Sequence, residues 1–213
     1  MYEEIRKEIF DTVLKLYQKD MIPLNSGNVS ARAENSHFVI TPRGIPYDNM
    51  TPDDLIVINH DGDIIEGKHQ PSSEAPMHLA VYKHLPKTTA VVHTHSAHAL
   101  AFAVVGRSIP IISLEGLDAR GPVPVAEYAC AGTEALGRAA VKALQGPPVV
   151  TGTLLKNHGV LTCGKTLFEA YATACRIEIS ARVYFLALQI GTPDVLTPDQ
   201  IEEIMAVYSP VKK

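Results

Sequence analysis

Between residues 25 and 67 the chain sets short β-rich runs, at 37–41, 55–59 and 63–66, among turn sequences: Asn25-Ser26-Gly27-Asn28, Thr41-Pro42-Arg43-Gly44 and His60-Asp61-Gly62-Asp63. This texture predicts hairpins. It constrains the fold strongly, because strands joined by tight turns pair antiparallel. Further β-rich runs lie at 90–95, 108–113, 149–157 and 160–163. Helical spacing marks residues 5–17 through Ile5, Ile9, Val13, Leu16 and Tyr17, and also 73–85, 97–105, 132–144 and 166–190. Pro76 falls in a first turn, where its missing N–H is harmless. Thr197-Pro198-Asp199 opens a last short helix with Thr197 as its cap. Clusters of strands interrupted by single helices predict a mostly antiparallel sheet covered by helices, in one α/β domain over residues 1–213.

With 213 residues, 46% of them apolar, the chain can bury a substantial core and is not a disordered segment. Nineteen basic against twenty-three acidic residues give a net charge of −4. No basic excess draws in nucleic acid or an anionic membrane surface. The longest apolar stretches, 97–105 and 179–190, are too short to span a bilayer, and residues 1–20 lack the layout of a secretory signal. The expected location is the cytoplasm. Cys130, Cys163 and Cys175 show no CxxC spacing and are expected to be reduced, small core residues.

Histidine supplies the chemistry. Of nine in the chain, five (His78, His84, His93, His95 and His98) fall between residues 78 and 98. On a strand His93 and His95 project to the same side, so both imidazoles can reach one ion. A third ligand has two candidates, His98 and His158, and His158 is the better because Gly159 after it permits close backbone approach at a strand end. Glu74 offers a carboxylate nearby in sequence, at a predicted helix start preceded by Ser72 and Ser73, where free N–H groups and hydroxyls suit an anion. The lesser reading of Glu74 is simple support of the first turn through the helix dipole. The turns containing Asn25 and Asn28, and Arg43 and Gly44, are further phosphate candidates, Arg43 adding a guanidinium.

Taken in order, SGNVSAR at 26–32, TPRGIPYD at 41–48, PSSEAPMH at 71–78, VVHTHSAHALA at 91–101, PVAEYACAGTEAL at 124–136 and LLKNHGVLTCG at 154–164 resemble the class II aldolase/adducin family. Within it the likeness is greatest to the zinc-dependent L-fuculose-1-phosphate aldolases. The resemblance implies an antiparallel sheet between helical layers and a homotetramer with active sites at subunit boundaries. It implies one Zn2+ per chain on His93, His95 and His158, with Glu74 as acid/base and as a metal ligand when substrate is absent; Co2+ or Mn2+ also suits such ligands. It places the substrate phosphate on Asn28, Gly44, Ser72 and Ser73, with Asn25 and Arg43 where the best-known members have threonines. The substrate class is a small ketose 1-phosphate, cleaved to dihydroxyacetone phosphate and an aldehyde. Breaking C3–C4 leaves charge that spreads to the C2 oxygen, where a divalent cation acts as Lewis acid and no lysine Schiff base is required.

One position departs from the pattern. The fuculose phosphate aldolases carry a tyrosine in the loop after residues 108–113, and here Leu114 and Glu115 follow. Glu115 is therefore a candidate to handle the aldehyde oxygen, and it also falls where the related methylthioribulose-1-phosphate dehydratases resemble this chain in placing a catalytic acid. Tyr208 is a candidate for a tail tyrosine, with simple packing as its other reading. The 4-epimerases of the family have aspartate at the position of Glu74, and the dehydratases tend to lack the Ser-Ser-Glu arrangement. Adducin head domains, non-catalytic assembly modules, have lost the metal ligands that this chain retains. The resemblance thus favours the aldolase over dehydratase, epimerase or decarboxylase chemistry.

Overall fold

The computed structural model describes residues 2–208, without the side chains of Glu34 and Tyr208. Tyr208, weighed above as a tail tyrosine, thus falls outside the described side chains. The strands are β1 (Asn28–Arg32), β2 (Phe38–Ile40), β3 (Ile56–Ile58), β4 (Ile64–Glu66), β5 (Ala90–Thr94), β6 (Val125–Ala126), β7 (Gly152–Leu155) and β8 (Gly159–Gly164). They form one sheet in the order β4-β3-β2-β1-β5-β8-β7-β6. Every pairing is antiparallel except that of β6 with β7. The helices are α1 (Glu3–Tyr17), α2 (Ala75–His84), α3 (Ala97–Val105), α4 (Glu134–Leu144), α5 (Leu167–Ile190) and α6 (Pro198–Tyr208).

Alternation along each strand sorts the side chains into two layers. On one face Val29, Val39, Val57 and Val92 pack against Ile9, Val13 and Leu16 of α1 and Ala170 and Ala174 of α5. On the other, Ile40, Ile56, Val91 and Leu161 meet Met77 and Val81 of α2 and Leu136 and Ala140 of α4. Helices therefore cover both faces, as the patterning predicts. The consequence for β5 is direct: His93 shares its face with Val91 and is turned toward α2, while Val92 faces α1 and α5.

Two local expectations fail. Residues 108–113 make only one bridge, Ile109 with Val123, because Pro110 has no N–H to extend a ladder. Cys163 is buried and Cys175 half-buried, but Cys130 is exposed, and all three thiols are free. The carbonyl of Cys130 accepts a hydrogen bond from Thr133, the α4 cap, which keeps this residue on the loop outside the core. Among the described residues no helix is long and apolar enough to cross a membrane.

The turn from β5 into α3 follows the His-Thr-His segment and needs an anchor. Glu178 of α5 supplies it: its carboxylate accepts from the backbone N–H groups of His98 and Ala99, at 3.1 and 2.9 Å, and pairs with His98 Nδ1 at 2.7 Å. These are first-turn donors with no partner inside the helix. Glu178→Ala is expected to lower stability by about 1–2 kcal/mol, the usual effect of losing a cap and stranding its donors. Urea denaturation of the two proteins measures the difference.

Candidate active site

Four side chains from three separate stretches converge. Glu74 at the N-cap of α2, His93 in β5, His95 just beyond it and His158 in the β7–β8 turn bring ligand atoms within 4.8 Å of one another. His93 Nε2 lies 3.0 Å from His95 Nε2 and 3.1 Å from Glu74 Oε2. His158 Nε2 lies 3.1 Å from Glu74 Oε1, without the alignment of a hydrogen bond. His98 is not part of the group, because Glu178 holds its ring at the start of α3.

Local sequence explains the convergence. The three-residue turn Lys156-Asn157-His158 joins β7 to β8, with Leu155 paired to Gly159. Asn157 takes the left-handed conformation at φ 58°, which asparagine tolerates better than most residues. Gly159 then passes so close to β5 that a Cβ would sit 2.4 Å from the Thr94 carbonyl oxygen and 3.1 Å from both the His93 and His95 rings. Only glycine lets His158 approach this closely.

The donor set fits a divalent ion. His93 Nδ1–H donates to the Val160 carbonyl at 2.8 Å, which fixes the ring and turns the Nε2 lone pair to the centre. Burial, and then the neighbouring His93 and His158 rings, push His95 down to about 4, so it is a neutral imidazole at neutral pH. Burial alone would raise the Glu74 carboxyl, but the adjacent His93 ring and contacts with His158, His93 and Asn28 prevail and hold it well below the usual range. It is an anion. Glu74 Oε1 and His158 Nδ1 are buried without a hydrogen-bond partner, and three imidazole nitrogens with one carboxylate are the ligands that zinc and its neighbours take.

The proposed phosphate residues divide. Asn28 and Ser72 are buried beside Glu74: Asn28 Nδ2–H donates to Glu74 Oε2 at 2.8 Å, and the Ser72 hydroxyl accepts from the Glu74 N–H at 3.2 Å. Ser73, Arg43, Gly44 and Asn25 are exposed. Arg43, Ser72 and Ser73 line one cavity of about 570 Å3, together with His60 and Lys83. Glu115 is not brought to the cluster. It sits on the short 3₁₀ helix Leu114–Ala119, accepts from the Ser113 hydroxyl at 2.6 Å, and lines a separate cavity with Phe168 and Arg176 of α5. Its carboxyl is held below the usual range by that hydroxyl first and by Arg176 last.

Three residues without an assigned role in the sequence, among them His78 of the histidine cluster, stand behind Asn28. His78 Nε2 meets Asn28 Oδ1 at 2.6 Å, His78 Nδ1 meets the Ser30 hydroxyl at 2.6 Å, and Ser30 meets the Tyr82 hydroxyl at 2.8 Å. The available signal was spacing: His78 and Tyr82 follow Glu74 at four-residue intervals on a helix, and Ser30 follows Asn28 by two on a strand.

Helices cover both faces of the sheet, and at its centre a buried carboxylate stands among three histidines able to hold a metal ion. Residues 7–185 match the model of the class II aldolase and adducin N-terminal domain. The chain belongs to that family. It is 35% identical to an L-fuculose phosphate aldolase of Escherichia coli (strain K12), over 96% of this chain and 94% of the relative. It is 33% identical to an L-ribulose-5-phosphate 4-epimerase of Salmonella paratyphi B, over 89% and 87%. The solved structure of an L-fuculose 1-phosphate aldolase superposes with a TM-score of 0.91, at 31% identity, over 97% of each chain.

Proposed function

We propose that residues 1–213 act as one domain, a cytoplasmic aldolase that uses one divalent ion, Zn2+ by preference, to cleave a ketose 1-phosphate reversibly. The substrate is L-fuculose 1-phosphate or a close deoxyketose analogue, and the products are dihydroxyacetone phosphate and a lactaldehyde-like aldehyde. The observation that carries the reading is the Glu74 carboxylate, buried against His93 and His158 and next to Ser72 at the head of α2. A bound cation on His93, His95 and His158 supplies the Lewis acid for charge arriving at the C2 oxygen.

The protein's own groups do the rest. Asn28, Ser72, Ser73 and Gly44, with Asn25 and Arg43 at the rim, hold the phosphate and so fix the three-carbon half of the substrate. As C3–C4 breaks, the C4 hydroxyl passes its proton to the carboxylate at the aldehyde side, and Glu74, having taken a proton from solvent, donates it to C3. The chain works as a homotetramer, a reading supported by the exposed stripe Ile179, Val183, Leu186 and Ile190 along α5, at helical spacing. A neighbouring copy's Glu115 then serves the aldehyde oxygen at the boundary between copies.

A screen of ketose phosphates with triose phosphate detection tests the assignment. Release of dihydroxyacetone phosphate from a 1-phosphate is expected. A dehydrated diketone, or a pentulose phosphate inverted at C4, would assign the site to another reaction of the family.

A further inference from the structure

Ser30, His78 and Tyr82 are all at least 97% buried, yet each carries a polar group into the interface between β1 and α2. A core of that size is normally apolar, and such groups persist where every partner is satisfied. Here they form a single file ending on Glu74: Tyr82 OH, Ser30 Oγ, His78 Nδ1 and Nε2, Asn28 Oδ1 and Nδ2, Glu74 Oε2.

The file has one direction. The Asn28 NH2 group donates to Glu74 Oε2 at 2.8 Å, which leaves the Asn28 carbonyl oxygen facing His78 Nε2 at 2.6 Å. That oxygen accepts, so His78 carries its proton on Nε2. Burial pushes His78 down to about 3, which leaves the ring neutral and Nδ1 bare. Nδ1 accepts from the Ser30 hydroxyl, and Ser30 accepts from Tyr82. Each orientation follows from the one before it.

We propose that His78, backed by Ser30 and Tyr82, is a positioning residue that locks the Asn28 amide with its N–H groups toward Glu74 and the bound substrate anion. The anion belongs to the aldolase reading above; the locked amide does not depend on it. One Nδ2 hydrogen holds Glu74 and the second is left for a phosphate oxygen. Without the His78 N–H the amide is free to turn, which would set its carbonyl against two anions.

Three variants and two readouts test this. His78→Gln keeps an amide N–H near the position of Nε2, whereas His78→Asn reaches only toward Ser30. Kinetics on the metal-loaded protein are expected to show His78→Gln within about 3-fold of the parent. His78→Asn should lose about 10–100-fold in kcat/KM, chiefly through KM, the range found when a partner that orients a site residue is removed. Ser30→Ala, one step further back, should fall between them with little change in thermal midpoint. Independently of any substrate, the Asn28 side-chain 1H–15N pair should exchange slowly in the parent and in His78→Gln, and should shift and exchange faster in His78→Asn. Equal losses in the Gln and Asn variants that follow their thermal midpoints, or an unchanged Asn28 signal in His78→Asn, would overturn the proposal. If the parent cleaves no ketose 1-phosphate, the aldolase reading fails and the amide signal still decides the positioning role.

Discussion

The His158→Ala protein is expected to purify with a small fraction of the metal that the parent carries, and to lose its activity in the same proportion. Of the three histidines, His158 is the one whose removal isolates the metal from the fold. His93 is fully buried between β1 and β8 and donates to Val160, so its loss would also damage the sheet. The imidazole of His158 has no such duty: its Nδ1 has no partner, and its Nε2 faces Glu74. Two histidines and a carboxylate would remain. Removing only an outer partner of a ligand lowers metal affinity by about 10–100-fold, so deleting a ligand outright should exceed that. Metal per chain by atomic emission and activity across added Zn2+ give the two numbers. Activity that recovers fully at high Zn2+ would mean a weakened site of the same chemistry. Unchanged metal content would remove His158 from the ligand set, and the proposed Lewis acid would lose the residue that closes its site.

How much of this was legible in the sequence varied with the range of the interaction. The pair His93 and His95 could be read from strand period alone, because alternation is local. His158 came from a glycine beside a histidine, although the reason Gly159 is required, a collision with Thr94 and both rings, exists only once β5 and β8 are neighbours. Strand β1 was not anticipated, since Asn28 to Arg32 mixes polar and apolar residues next to a turn; its burial comes from pairing with both β2 and β5. The file through His78 was invisible for the same reason. It depends on the register that sets Asn28 opposite His93 and so brings β1 under α2. Pro110 shows the converse, a β-rich composition at 108–113 overridden by one missing N–H. Glu115 rests on the resemblance, at the place where the fuculose phosphate aldolases carry a loop tyrosine, and here that loop folds onto α5, away from the cluster in the same chain.

Glu74→Gln separates the two roles given to that carboxylate. As a ligand, Glu74 is one of four, and the three imidazoles that remain are a sufficient set for zinc with an open position. As acid/base, it is alone: the other titratable groups of the cluster are the ligands themselves. Glutamine preserves the shape, and after rotation its carbonyl oxygen accepts from Asn28 as Oε2 does, so the file behind it stays intact. The variant is therefore expected to keep about one metal ion per chain and a similar KM while kcat falls about 10²–10⁴-fold, the usual contribution of a positioned proton-transfer group. Proton exchange at C3 of dihydroxyacetone phosphate, followed without any aldehyde, should slow by the same factor, because that half-reaction needs Glu74 and not Glu115. Normal exchange with slow cleavage would move the acid/base role to the aldehyde side. Loss of metal together with turnover would show instead that the carboxylate is chiefly a ligand, and would leave the C3 proton without a carrier among the residues assembled around it.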